Sequence, residues 1–185
     1  PSSKSAAWEA GDAFPRRCAF TLDDVYRSLD YLAERADALV KHMNASIEAA
    51  RGPRDRTRLY YDVTNYYFEI DGEDEEGLRK RGVSKEHRPE AIVQMGLLLD
   101  AGGVPLGYEL FPGNVNDMST MLPMMGKAGL RDASDPDGGR VVVVADKGLN
   151  TSSNIAACTL DGNGFVFSQS VRRATRGLRA WVLDD

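Results

Sequence analysis

Apolar residues recur at helical spacing from Thr21 onward: Leu22, Val25, Tyr26, Leu29, Leu32, Ala36, Leu39, Val40, Met43 and Ile47. With Thr21 as a cap and Asp23 and Asp24 in the first turn, the pattern predicts one long amphipathic helix or two. Gly52-Pro53 ends it, and Arg51, Arg54, Arg56 and Arg58 bridge to the next element. Upstream, residues 1 to 20 are small and polar without periodicity and read as a linker or frayed lead-in.

Past the boundary the period changes. Leu59 to Ile70 is rich in Tyr, Val, Thr and Phe and predicts a strand on which Asp62, Thr64 and Tyr66 share one face. A second strand is predicted from Ala91 to Leu99. After the turn residues Asp100 to Gly103, a third runs from Val104 to Leu110; its Pro105 cannot donate to a ladder, so it belongs at an edge. Asp117 then caps a helix carrying Met118, Met121, Leu122 and Met125. Val141 to Val144, followed by Ala145, read as a strand buried on both faces. A helix from Thr151 to Leu160 and a strand from Gly164 to Gln169 complete the series. Three strands on short or charged loops, then helix, strand, helix, strand, make an α/β plan with a mixed sheet. The divisions expected are 1–20, a helical segment 21–52, and a core 53–185.

Composition narrows the class. A chain of 185 residues, 42% hydrophobic, suffices for one sizeable core. No apolar run approaches the roughly 20 residues of a membrane span. The chain begins at Pro1 without a charged-then-apolar leader, which points to a segment of a longer product with a cytoplasmic home. Cys18 and Cys158 lack metal-ligand spacing and read as reduced thiols. A net charge of −5 speaks against an unqualified nucleic-acid binder. However, six of the 28 acids lie in residues 69 to 76, and setting them aside leaves 22 against 23 Lys and Arg. Bases cluster at Arg79, Lys80, Arg81, Lys85 and Arg88, and at Arg172, Arg173, Arg176 and Arg179, as solvated faces or as phosphate contacts.

Two aspartates stand where chemistry gathers. Asp146 ends the valine strand, and carboxyl ends of strands are where open α/β sheets place their sites. Asp62 interrupts an aromatic strand, where a charge costs several kcal/mol unless paired, solvated or metal-bound. If the two strands are neighbours, both carboxylates face a shared cleft able to hold Mg²⁺, which prefers oxygen ligands. Two such ions about 4 Å apart activate a nucleophile and stabilise a leaving oxygen in phosphoryl transfer. The plainer reading is a pair of strand-end aspartates satisfied by backbone amides.

Four segments carry a resemblance: Tyr61-Asp62-Val63-Thr64-Asn65-Tyr66-Tyr67-Phe68-Glu69, Ser84-Lys85-Glu86-His87-Arg88-Pro89, Phe111-Pro112-Gly113-Asn114-Val115-Asn116-Asp117 and Val144-Ala145-Asp146-Lys147-Gly148. In type and order they resemble the catalytic region of bacterial insertion-sequence transposases of the DDE type, IS4-like, over roughly Thr21 to Asp185. The resemblance implies a ribonuclease H-like mixed sheet with flanking helices, preceded by an N-terminal helical segment. It implies Asp62 and Asp146 as catalytic, metal-ligating residues, with Mg²⁺ or Mn²⁺, two ions in the complete site. It further implies DNA cleavage at element ends and strand transfer of the freed 3′-hydroxyl, by an enzyme that is a homodimer in its assembled complex with DNA.

The family's third carboxylate, a glutamate on a later helix with Tyr, Arg and Lys nearby, has no counterpart after Asp146, so this chain alone is expected to be inactive. Lys85, His87, Arg88, Lys147, Arg172 and Arg173 are the candidate nucleic-acid contacts, set against the plainer readings of surface hydrogen bonds and solvated charges. Thr64 and Asn65, beside Asp62, are candidates to orient it by hydrogen bonding. Asp117 reads more readily as a helix cap than as a ligand. Two other readings compete. A haloacid dehalogenase-type phosphatase needs Asp-x-Asp, and Thr64 stands where its acid belongs. A transposase remnant that binds DNA without cutting fits the missing glutamate.

Overall fold

The computed structural model describes residues 3–13, 19–68, 72–82, 90–127, 140–160 and 162–184, and the chain divides into two compact units, Pro1–Gly52 and Pro53–Asp185. In the first unit, α1 (Lys4–Glu9) forms where the sequence shows no periodicity, because Ser3 caps it by accepting the Ala6 N–H at 3.1 Å. The Trp8 indole N–H donates to the Phe20 carbonyl at 3.2 Å. Two helices come next rather than one, α2 (Leu22–Glu34) and α3 (Ala36–Arg51). Thr21 and Asp24 close a capping box at the start of α2: the Asp24 N–H donates to Thr21 Oγ1 at 3.2 Å, and the Thr21 N–H to Asp24 Oδ2 at 2.8 Å. Gly52, at φ 86, ends α3 in a conformation that L side chains rarely adopt, and Pro53 cannot continue the helix.

The second unit is a five-stranded sheet in the order β3-β2-β1-β4-β5. Its strands are β1 (Arg58–Tyr67), β2 (Ile92–Leu99), β3 (Pro105–Pro112), β4 (Val142–Ala145) and β5 (Gly164–Phe167). β1, β2 and β3 pair antiparallel, whereas β4 pairs parallel with β1, and β5 parallel with β4. A meander on one side of the first strand and parallel strands on the other make a mixed ribonuclease H-like sheet, as expected. Helices α4 (Met121–Lys127), α5 (Ser152–Leu160) and α6 (Arg176–Leu183) complete the unit. β3 is an edge strand, and its Pro105 pairs with Leu99 beside the register shift at Leu98/Leu99, the edge or bulge setting to which a strand proline is confined.

The pleat decides what β1 buries. Leu59, Tyr61 and Val63 point to one face and, with Leu98, Val143 and Ala145, meet Met121, Met124 and Met125 of α4, Leu149 and Cys158 in the core. Each Leu, Val or Met side chain so removed from water contributes about 1.5–3 kcal/mol. Asp62, Thr64 and Tyr66 alternate with them and are exposed. Asn116, rather than Asp117, caps the turn Asp117–Ser119 that precedes α4; its side chain accepts the Met118 N–H at 3.1 Å. β5 stops at Phe167, two residues short of expectation, and α6, capped by Thr175, arises from a stretch that the sequence pattern leaves without an element. Among the described residues, no helix is long and apolar enough to cross a membrane.

Candidate functional site

The last registered pair between parallel β1 and β4 is Tyr61 with Ala145. One residue further along each strand come Asp62 and Asp146. Neighbouring strands lie about 4.8 Å apart, so the fold sets these two carboxylate-bearing residues side by side at the middle of the sheet. Tyr61 and Ala145 are both buried, and both aspartates are exposed. Asp62 is still within β1, paired across to Leu97 of β2, while Asp146 has just left β4.

The turn after Asp146 is firmly held. Asp146 Oδ1 accepts the Gly148 N–H at 2.9 Å and so caps the short 3₁₀ helix Lys147–Leu149. Leu149 is fully buried in the core. Its carbonyl accepts from the Asn154 side chain at 2.9 Å. Asn150 Nδ2 reaches the end of β5, donating to the Ser168 carbonyl at 3.1 Å and to Gln169 Oε1 at 2.7 Å. One Asp146 oxygen is thus committed to the backbone.

β1 is anchored from its other face by Tyr61, adjacent to Asp62. The Tyr61 hydroxyl and Thr120 Oγ1 lie 2.9 Å apart, and Thr120 Oγ1 in turn donates to the Asp117 carbonyl at 2.7 Å. Burial pushes the Tyr61 phenol up to about 12, against the opposing pull of its bond to Thr120. Sequence reading passes over this residue because a tyrosine in an aromatic strand carries no signal of its own. Its partner lies 59 residues away.

The remaining candidates divide by strand face and by loop. Thr64 is exposed two residues along from Asp62, on the same face. Asn65 is not: three residues from Asp62, it falls on the opposite face by the two-residue pleat, with its Oδ1 buried and without a hydrogen-bond partner. The expected orienting contact from Asn65 to Asp62 is therefore corrected. Lys147 is exposed directly after Asp146. Arg172 is exposed on the 3₁₀ turn Val171–Arg173, which also carries Arg173. Lys85, His87 and Arg88 lie outside the described residues. Among the described residues, no group of three or more His, Cys, Asp and Glu side chains is placed to hold a metal ion.

Chemically, two exposed carboxylates side by side offer hard oxygen donors, the type that suits Mg²⁺ and Mn²⁺. Mg²⁺ is commonly held by one or two carboxylates while keeping several waters, so the pair fits such an ion.

No family model matches the chain, and no curated protein matches it. Several solved structures are similar. A piggyBac transposase synaptic complex with hairpin DNA is 12% identical over 66% of this chain and 24% of that one, with a TM-score of 0.39. The catalytic domain of Mos1 mariner transposase is 11% identical over 80% and 65%, also at 0.39. The Mos1 catalytic domain with raltegravir and Mn is 12% identical over 69% and 56%, at 0.38. The chain thus spans between 24% and 65% of the length of these proteins. Likeness this low carries no assignment, and the fold is read from strand order and pairing alone.

Proposed function

We propose that Pro53–Asp185 is the catalytic core of a DDE-type DNA transposase, cutting DNA at the ends of a mobile element and directing the freed 3′-hydroxyl at target DNA. The observation that carries this reading is the placement of Asp62 and Asp146 one step beyond the Tyr61–Ala145 pair. In this reading the two aspartates hold Mg²⁺ or Mn²⁺. Bound divalent ions supply an activated nucleophile and offset charge on the leaving oxygen. Asp146, fixed by Gly148, presents its second oxygen in a set direction, and Thr64 flanks Asp62 on the same face. Lys147, Arg172 and Arg173, with Lys85, His87 and Arg88, contact DNA phosphate. The bacterial insertion-sequence subtype and a homodimeric complex rest on the four sequence motifs, and the division into a lead-in 1–20, a helical segment 21–52 and a core 53–185 rests on the sequence pattern.

A second reading, DNA binding without cutting, is favoured by one observation: among the described residues no third acidic group joins the pair. Incubation with supercoiled plasmid and Mn²⁺ separates the two. Nicking by the wild-type chain that disappears in both Asp62→Asn and Asp146→Asn supports the catalytic reading. Plasmid retardation without nicking, by a chain whose Mn²⁺ binding is unaffected by either substitution, supports the second. Nicking that survives both substitutions sinks the assignment of these aspartates.

A further inference from the structure

Asn154 lies in the first turn of α5 with none of its surface exposed. Asparagine is a poor helix former, and a side-chain amide is costly to take out of water. This one is only half used. Its Nδ2 donates to the Leu149 carbonyl at 2.9 Å, while its Oδ1 is buried without a hydrogen-bond partner. The orientation is fixed, because a carbonyl only accepts and the amide nitrogen must face it. A buried acceptor left without a donor weakens the fold and calls for an explanation.

Packing does not supply one. Cys158, one helical turn further along α5, is fully buried in the apolar core. A leucine at 154 would continue that face and carry no orphaned atom. Nor does the Leu149 carbonyl depend on Asn154, since the Thr151 N–H already donates to it at 3.0 Å. That bond, however, spans two residues of the same loop and ties the turn to nothing else. The Asn154 bond reaches across from the helix. Thr151 Oγ1 accepts the Asn154 N–H at 3.2 Å, so the amide is itself seated in the first turn of α5.

The turn it grips is the one that sets Asp146. The Leu149 N–H donates to the Asp146 carbonyl at 3.2 Å, and the Gly148 N–H to Asp146 Oδ1 at 2.9 Å. Asn154 thereby refers the carboxylate to a helix rooted in the core rather than to a free loop. Hydrogen bonds one step removed from a ligating carboxylate govern how it is presented to an ion.

We infer that Asn154 is a positioning residue for the cation site: it holds the turn Lys147–Leu149 so that Asp146 keeps one oxygen on Gly148 and the other for the ion. The inference rests on the proposed pairing of Asp62 with Asp146 and deepens it. Asn154 itself touches neither ion nor DNA.

Asn154→Ala and Asn154→Leu test this in the full chain. The first leaves a gap and the second adds bulk, so a loss common to both follows the missing N–H rather than the packing. Mn²⁺ binding is read from the electron paramagnetic resonance signal of the free ion, and amide exchange by NMR. Both variants should bind Mn²⁺ about tenfold or more weakly. In both, the Gly148 N–H should exchange about tenfold faster relative to the amides of β1. Asp62→Asn and Asp146→Asn, measured alongside, test the pair itself. Mn²⁺ binding that is absent, or indifferent to both aspartate substitutions, would refute the cation pair and the inference with it. Binding that needs both aspartates but is unchanged in either Asn154 variant, or a Gly148 N–H as well protected in them as in the wild type, would overturn the role of Asn154 alone.

Discussion

Arg54 and Asp100, 46 residues apart, form an ion pair of 2.6 Å in which both side chains are almost wholly buried. Arg54 also donates through Nη2 to the carbonyls of Val104 and Pro105, at 2.8 and 3.0 Å. Asp100 Oδ1 accepts from the backbone of Gly102 and Val104, at 3.0 and 2.8 Å. The pair thus fastens the segment before β1 to the turn between β2 and β3, and so steadies the sheet that carries Asp62. Removing one partner of a buried pair strands the other, at about 3–5 kcal/mol. Arg54→Met or Asp100→Asn should each lower the urea midpoint by that equivalent. The double replacement Arg54→Met with Asp100→Asn, which keeps an acceptor for the two N–H groups, should cost clearly less than the two single replacements summed, and a single-substitution cost below about 1 kcal/mol would show that the pair is not a clamp.

The same carboxyl makes the unit acid-sensitive. Burial alone would raise the Asp100 carboxyl, but the Val104 N–H, the Arg54 guanidinium and the Gly102 N–H hold it below the usual carboxylate range. A group depressed in the folded state contributes stability above its unfolded value, about 3.9, and loses it as pH falls through the folded value. Urea midpoints should accordingly be level from about pH 7 to about 5 and drop below about 4. The drop should be shallower in Asp100→Asn; an unchanged acid slope there would assign the sensitivity to other groups.

Tyr61 gives a separate test of how β1 is seated. Tyr61→Phe keeps the ring in the core but deletes the bond to Thr120, whose own bond to the Asp117 carbonyl survives. The expected cost is about 1 kcal/mol, seen as a fall in Tm of about 3–4 °C. In the wild-type chain, one tyrosine should stay neutral in an absorbance titration until near pH 12, matching its raised phenol; its absence from Tyr61→Phe identifies it.

Gly148 bears on Asp146 directly. A Cβ added there would stand 3.1 Å from Asp146 Oδ1, so Gly148→Ala must shift the carboxylate by a few tenths of an ångström. Under the proposed function, Mn²⁺ should bind about tenfold or more weakly while Tm stays within about 1 °C. Unchanged Mn²⁺ affinity in this variant would mean that the aim of Asp146 is not critical.

Much of this layout is legible from local pattern. The burial of Leu59, Tyr61 and Val63 comes from alternation, the edge position of β3 from Pro105, and the break at Gly52-Pro53 from turn chemistry. What eludes sequence reading depends on registration or on competition between neighbours. Closeness in sequence assigns Asn65 to Asp62, but an odd step along a strand reverses the face. Asn116 and Asp117 are both good caps, and only the turn geometry decides for Asn116. α6 is short and comes after a run of arginines that reads as loop. The break at Arg35 has no glycine or proline to announce it. The Arg54–Asp100 and Tyr61–Thr120 contacts join residues 46 and 59 positions apart, beyond the reach of any local pattern.

The central claim is that Asp62 and Asp146 hold one divalent cation site between them. Replacing Mg²⁺ with Fe²⁺ and adding ascorbate and peroxide generates radicals that cut the backbone beside the bound ion. Cuts are expected near residue 62 and near residue 146 together, suppressed by excess Mg²⁺ and absent at both places in either Asp62→Asn or Asp146→Asn. Cleavage at only one of the two, or cuts unchanged by the substitutions, would contradict a shared site.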